Sequence, residues 1–222
     1  MKIPTLYTLD VGYTAAMQIT VFGATGKVGT LVTEEALRRG YTVVAFVHQH
    51  APASPSNKLI IRKGDVHNAA DVARALVGSQ AMVSCLGSWG TPRRTVLSNA
   101  TLSLIPAMKA AGVRRVVTLT GIGVRKKPSA LYRFLLHAGT ITPAGKVFWD
   151  GQEHVRLLAE SGLDWTTVCS PIMNNSGGPG YRLSRRLGWP LVTIARRSVA
   201  AALLDQIEAT DYLQSTAVIH RK

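Results

Sequence analysis

Gly23-Ala24-Thr25-Gly26-Lys27-Val28-Gly29 decides how the rest of this chain is read. It closes an apolar run, Gln18-Ile19-Thr20-Val21-Phe22, and opens a pattern with Val28, Leu31, Val32 and Leu37 at helical spacing. The run predicts a strand and the pattern a helix. A glycine-rich turn between them lets backbone N–H groups approach a pyrophosphate without side-chain obstruction, and the positive end of the helix dipole faces the same anion. A G-x-x-G-x-x-G string alone also marks ordinary turns; the strand before it and the helix after it make this one a dinucleotide site.

Outward from that turn, strand-like and helix-like segments alternate from Met17 to the end, the sequence form of a parallel sheet covered by helices on both faces. The expected fold class is α/β, a single doubly wound parallel-sheet domain over residues 17–222 with small substrate-side insertions. Predicted strands cover Thr42 to Val47, Leu59 to Ile61, Ala81 to Leu86, Val113 to Thr120, Asp164 to Cys169 and Ser215 to Ile219. Between them, Asn68 is the expected cap of one helix. Pro106 is expected to kink a second, from about Thr95 to Ala111. A third lies within Ala144 to Ser161, and Ser198 is the expected cap of the last. Ile122 to Pro143 and Ile172 to Pro190 resist the alternation. Both follow strands at the sheet edge where doubly wound proteins bind ligands, so they are read as substrate-side insertions.

At 222 residues with 46% hydrophobic and 17% charged side chains, the chain is long enough for one domain with a well-buried core. The net charge of +14 is scattered as short pairs such as Arg38-Arg39, Arg93-Arg94, Arg114-Arg115 and Arg196-Arg197, with no basic run interleaved with aromatics. That pattern disfavours nucleic acid as a partner. No apolar stretch approaches the roughly 20 residues that cross a bilayer, and Met1 to Ala16 lacks a continuous apolar core. A cytoplasmic protein with no membrane partner and a small-molecule substrate is expected, with an oligomer left open. Residues 1–16 precede Met17 and read as an appended segment. Cys85 and Cys169 lie inside apolar β-like runs and read as small buried hydrophobes, and no metal site is expected.

An NAD site commonly places an acid at the end of the second strand to accept from the ribose 2′-hydroxyl. No acid occurs from Tyr41 to Asn57, whereas His48 and His50 follow that strand and Lys27 projects from the glycine turn. The expected cofactor is therefore NADP(H), ahead of NAD(H). Asp65 and Val66 are placed beside the adenine, the alternative role of Asp65 being a local turn cap.

The glycine turn, Gly64-Asp65-Val66, Cys85-Leu86-Gly87, Ala107 to Val113, and Ser161-Gly162-Leu163-Asp164-Trp165-Thr166 together resemble the atypical short-chain dehydrogenases with an NAD(P)-binding Rossmann domain. Within them the chain is most similar to NmrA-like proteins and to the flavin reductase/biliverdin-IXβ reductase group. The resemblance implies cofactor contacts at Gly23, Thr25, Gly26, Lys27, Val28, Gly29, His48, Asp65, Val66, Leu86, Gly87 and Thr120, with Ser88 and Pro171 completing the expected lining.

Catalytic residues carry over less fully. No Tyr-x-x-x-Lys motif is present, since Tyr132 is followed four residues later by Leu136. Thr120 and Gly121 stand where the family has paired serines, and Pro171 is followed by Ile172 where the reductase group has histidine. Thr120 and Tyr132 are the candidate catalytic residues, with His137 a further proton donor if its loop folds over the nicotinamide and Trp89 a stacking surface. Asp150 and Glu153 read as acids stabilising the start of their helix. The expected function is an NADPH-dependent oxidoreductase reducing a small carbonyl, quinone or flavin-like acceptor. The alternative is a non-catalytic NADP(H)-binding regulatory protein of the NmrA-like type.

Overall fold

The structure, a computed structural model, describes residues 17–50, 56–88, 91, 94–124, 126, 129–186 and 193–222. The expectations placed on residues 1–16, on Trp89 and on Arg93 lie outside these residues.

The alternation of strands and helices resolves into β1 (Gln18–Phe22), α1 (Gly29–Arg38), β2 (Thr42–Val47), β3 (Leu59–Lys63), α2 (Ala69–Leu76), β4 (Ala81–Ser84), α3 (Val96–Ala110) and β5 (Arg115–Gly121). There follow α4 (Ala130–Ala138), a 3₁₀ turn (Gly139–Ile141), α5 (Pro143–Glu160), β6 (Asp164–Ser170), β7 (Ile172–Asn174), β8 (Tyr181–Ser184), β9 (Thr193–Ala195), α6 (Arg196–Glu208) and β10 (Ser215–Arg221). Eight strands form one sheet in the order β3-β2-β1-β4-β5-β6-β10-β8, parallel except for β8, which pairs antiparallel with β10. This is the doubly wound Rossmann-like arrangement. Its edge departs from the all-parallel expectation because the insertion after β6 returns a strand to the sheet, while β7 and β9 pair separately.

Period-two alternation along buried strands divides the apolar residues between two cores. Ile19, Val21, Val43, Ala45, Val83 and Val117 face α1 and α6, where Val32, Ala36, Val199 and Leu203 meet them. Their neighbours Phe22, Phe46, Met82 and Val116, with Trp165, face Leu76, Leu104, Met108, Val155 and Leu158 on α2, α3 and α5. Phe22 and Phe46 stack at 4.8 Å between centroids. Asn68 caps α2 as expected, its side chain accepting from Ala70 N at 2.9 Å and Asp71 N at 3.3 Å.

α3 carries Pro106 within a single continuous helix. The carbonyl that the missing proline N–H would have bonded is that of Leu102, on a solvent-facing residue 60% exposed, so the loss falls where water can compensate. Ser198 is not the cap of α6, which starts two residues earlier at Arg196. Its hydroxyl instead donates to the Gly178 carbonyl at 2.8 Å, with the Gly180 carbonyl at 3.2 Å, and so ties the insertion after β6 to the helix.

Candidate functional site

The strand register sets Phe22, Ser84, Thr118 and Thr167 in one row across β1, β4, β5 and β6. Everything just beyond that row lies along the carboxyl edge of the sheet, where ligands bind in this topology. Gly23, Cys85, Leu86, Thr120 and Pro171 are therefore brought to one edge by the fold.

At Gly23 the backbone turns with φ of +73°, and a Cβ there would lie 2.9 to 3.0 Å from the Cys85 carbonyl and the Leu86 amide. A Cβ on Gly29 would stand 2.0 Å from the Gly23 carbonyl oxygen. The two glycines therefore let β1, the turn and the end of β4 approach closely. Gly26 N donates back to Gly23 O at 3.0 Å, which leaves Thr25, Gly26 and Lys27 facing solvent while Ala24, Val28 and Gly29 are buried. No side chain caps the first turn of α1, and no acid stands there. The result is a side-chain-poor turn at a helix N-terminus, the physical requirement for a diphosphate. A dinucleotide fits these residues.

Other predicted contacts occupy the same edge with differing local roles. His48 follows β2 and is exposed. Asp65 serves the turn it was suspected of capping: its carboxylate accepts from His67 N at 2.9 Å, while its own amide donates to Asp71 Oδ2 at 2.9 Å. Val66 is half-buried against the α2–α3 core. Leu86 is half-buried and Gly87 exposed, at the end of β4. Pro171 is buried, its carbonyl accepting from Ser170 Oγ at 3.0 Å. Burial raises the Cys85 thiol to about 12, so it stays protonated at neutral pH.

Ser88 is buried and belongs to a network whose centre the sequence did not reveal. α5 begins at Pro143, after Thr142 Oγ1 accepts from Gly145 N at 3.0 Å, so Asp150 stands two turns inside the helix and not in its first turn. The reading of Asp150 as a dipole-stabilising acid is thereby corrected. Its carboxylate, 1% exposed, accepts from Leu97 N at 3.0 Å and Ser98 N at 2.9 Å, and from the hydroxyls of Ser88 and Ser98. Ser88 Oγ in turn accepts from Val96 N at 3.1 Å. A carboxylate on α5 thus caps α3, and the same bonds hold the loop that leaves β4. Glu153 pairs with Arg156 at 2.8 Å on the helix surface.

One turn further along α5, His154 is buried between two threonines. Thr101 Oγ1 donates to Leu97 O at 2.6 Å, so it must accept from His154 Nδ1 at 2.6 Å. Nε2 is then the acceptor, taking a proton bond from Thr118 Oγ1 at 2.9 Å, and Thr167 supplies Thr118 in turn at 2.8 Å. Burial pulls this imidazole down to about 4, with the Asp150 charge opposing, and the ring is neutral near pH 7. His154 is the functional-looking residue that sequence reading missed; its only sequence signal was its spacing, four after Asp150, on a helix whose buried face also carries Val147, Gly151, Val155 and Leu158.

Thr120, buried at the end of β5, faces α5 at Gly151, where an added Cβ would lie 2.6 Å from Thr120 Oγ1. Tyr132 donates its phenol proton to the Gly123 carbonyl at 2.6 Å. His137 packs edge-on against Trp149 at 4.9 Å between centroids. Beyond β6, the insertion surrounds a cavity of about 240 Å³ lined by Asn174, Gly177, Thr193, Ser198 and Arg221.

The sequence profile of the NAD(P)H-binding family matches residues 23–210. Three solved structures of similar shape share little sequence. A wide-type short-chain dehydrogenase/reductase from Veillonella parvula, in complex with NADP, superposes with a TM-score of 0.72 at 19% identity over 92% of this chain and 94% of that one. An oxidoreductase from Lactococcus lactis gives 0.75 at 17% identity, over 93% and 91% of the two chains. A candidate NADH-flavin reductase from Streptococcus pneumoniae gives 0.73 at 20% identity, over 93% of this chain and all (100%) of that one. At these identities the likeness establishes the fold.

Proposed function

The chain belongs to the NAD(P)H-binding family, and from that premise we propose that it is an NADPH-dependent reductase of a small carbonyl, quinone or flavin-like acceptor. The observation that carries the reading is the glycine turn: side chains are excluded at Gly23 and Gly29 by contacts of 2.0 to 3.0 Å, while Thr25, Gly26 and Lys27 between them face solvent at the N-terminus of α1. Gly23, Thr25, Gly26, Val28 and Gly29 hold the diphosphate in this reading. Lys27 and His48 meet the 2′-phosphate, Asp65 and Val66 line the adenine side, and Leu86, Gly87, Thr120 and Pro171 border the nicotinamide. Ser88 acts from behind, through Asp150.

NADPH, once bound, supplies the hydride, so this chain has to orient the ring, exclude water and present a polar group to the acceptor. Thr120 is the hydroxyl best placed for that last role, because β5 carries it to the carboxyl edge of the sheet, level with Cys169 on β6. Tyr132 is the second candidate, and its phenol would have to leave the Gly123 carbonyl to donate elsewhere. That bond also favours a second reading, a non-catalytic NADP(H)-binding sensor, in which the same turn binds cofactor and no proton is delivered.

Titration of the four-tryptophan chain with NADPH and NADH by fluorescence quenching tests the cofactor assignment. NADPH is expected to bind at least about tenfold tighter, consistent with about 1.4 kcal/mol for one phosphate–cation contact, and Lys27→Ala should narrow the gap. Equal affinities in the parent protein would refute the roles of Lys27 and His48. Turnover of NADPH with a quinone, flavin and aldehyde panel, absent in Gly26→Trp, separates the reductase from the sensor.

A further inference from the structure

In α4 the residues Leu131, Phe134, Leu135 and Ala138 recur at i, i+3, i+4 and i+7. That stripe is the one a surface helix normally turns to the core. Here it faces outward: Leu131, Phe134 and Leu135 are 67%, 69% and 58% exposed, and Ala138 is exposed beside them. Ile141, in the 3₁₀ turn that follows, is 89% exposed. The contacts that fix α4 use its other side and its ends, through Tyr132 on Gly123, the Ser129 cap on Tyr132 N, and His137 on Trp149.

The charges around the stripe narrow what can cover it. No Asp or Glu occurs between Asp71 and Asp150, a stretch that includes the whole of α4 and its approaches. Arg133 and His137 are exposed on α4, and Lys146 is exposed on the first turns of α5, against which α4 packs. A second copy laying the same stripe on this one would bring like charges together, with no carboxylate from this stretch to offset them, between two molecules of net charge +14. Nucleic acid would accept the cations but has no use for aliphatic leucines, since base stacking needs aromatic faces and Phe134 is the only such side chain in the stripe. An anionic bilayer accepts both parts: phosphates take the cations, and the boundary between headgroups and acyl chains takes Leu131, Phe134 and Leu135.

We propose that α4 is an interfacial helix that docks this protein onto anionic lipid surfaces. It lies on the bilayer and does not cross it; among the described residues no helix is long and apolar enough to span one. The inference uses no residue of the glycine turn, so it stands or falls separately from the cofactor reading.

Co-sedimentation of the full chain with vesicles tests it, using phosphatidylcholine alone or phosphatidylcholine mixed with phosphatidylglycerol. The parent protein should partition onto the anionic vesicles at least about tenfold more strongly than onto neutral ones, with added salt weakening the binding. The triple substitution Leu131→Ser, Phe134→Ser, Leu135→Ser should lower that partition by about tenfold or more without lowering the melting temperature, because these side chains are already in water. Arg133→Glu should weaken it as well, by about tenfold at low salt. No binding, equal binding to both vesicles, or anionic binding unchanged in the triple variant would overturn the proposal. So would a dimer in sedimentation velocity, or retention on single-stranded DNA, that the triple variant loses, because the stripe would then belong to a second copy or to nucleic acid.

Discussion

His154 shows how a titratable residue can look catalytic and still be committed to the fold. Both ring nitrogens are spoken for, Nδ1 by Thr101 and Nε2 by Thr118, and the proton positions follow from the single proton on each threonine. Folding holds the imidazole at a pKa of about 4 against an ordinary 6.5, so the unfolded chain binds a proton more readily at every pH between those values. Stability should therefore be constant above about pH 7 and fall as the pH drops from 6.5 toward 4, by about 3 kcal/mol if the full shift is realised. Urea unfolding at pH 7 and pH 4.5 measures this. His154→Gln should flatten the dependence over that window, and an equally steep loss in the variant would assign it to other groups.

At the scale of elements, the contact between α5 and β5 is decided by one missing Cβ. Gly151 is buried inside a helix, where alanine ordinarily gains about 0.5–1 kcal/mol over glycine. Here that methyl would lie 2.6 Å from Thr120 Oγ1 and 3.1 Å from a Val124 methyl, so α5 would have to lift from the sheet. Gly151→Ala should reverse the usual sign and destabilise by about 1–3 kcal/mol. Much of that loss should return in a Thr120→Ala background, read as the coupling in a double-mutant cycle of chemical denaturation. The absence of coupling would mean that the methyl is accommodated elsewhere. α6 illustrates the complementary case, an end held by a distant cation: Arg115 on β5 donates to Ile207 O at 3.0 Å, to Asp164 O at 2.7 Å and to the Gln206 carbonyl. Burial lowers this guanidinium to about 10, still charged at neutral pH, so it complements the negative end of the α6 dipole. One member of the scattered basic pair Arg114-Arg115 is thus part of the fold.

For the molecule as a whole, the cofactor reading has a thermodynamic consequence that needs no substrate. A ligand bound only by the folded state stabilises it by about 2.7 kcal/mol at a hundredfold excess over its Kd. For a chain of 222 residues that corresponds to a rise in melting temperature of about 5–10 °C. NADPH at saturating concentration should produce this rise and NADH at the same concentration a smaller one. An unshifted transition with either nucleotide would leave the glycine turn without its ligand.

Much of the architecture was legible in the chain itself. β2 begins and ends where its β-branched run predicted, α2 starts at the Asn68 cap, and the glycine turn joins the strand and helix on which its interpretation rested. These are local matters, governed by side-chain period, capping chemistry and the steric freedom of glycine, and neighbouring residues are enough to specify them. Asp150, His154 and Gly151 were misread or passed over because their partners lie far along the chain: 62 residues from Asp150 to Ser88, and 36 from His154 to Thr118. The outward turn of the α4 stripe was equally invisible, since periodicity tells that one face of a helix is apolar but not which side the rest of the protein occupies. Sequence by itself determined β1 to β6 and β10, the helices between them and the glycine turn; tertiary structure alone decided which polar groups are buried and which apolar face is left in water, because burial is a property of the packed whole and no short segment encodes it.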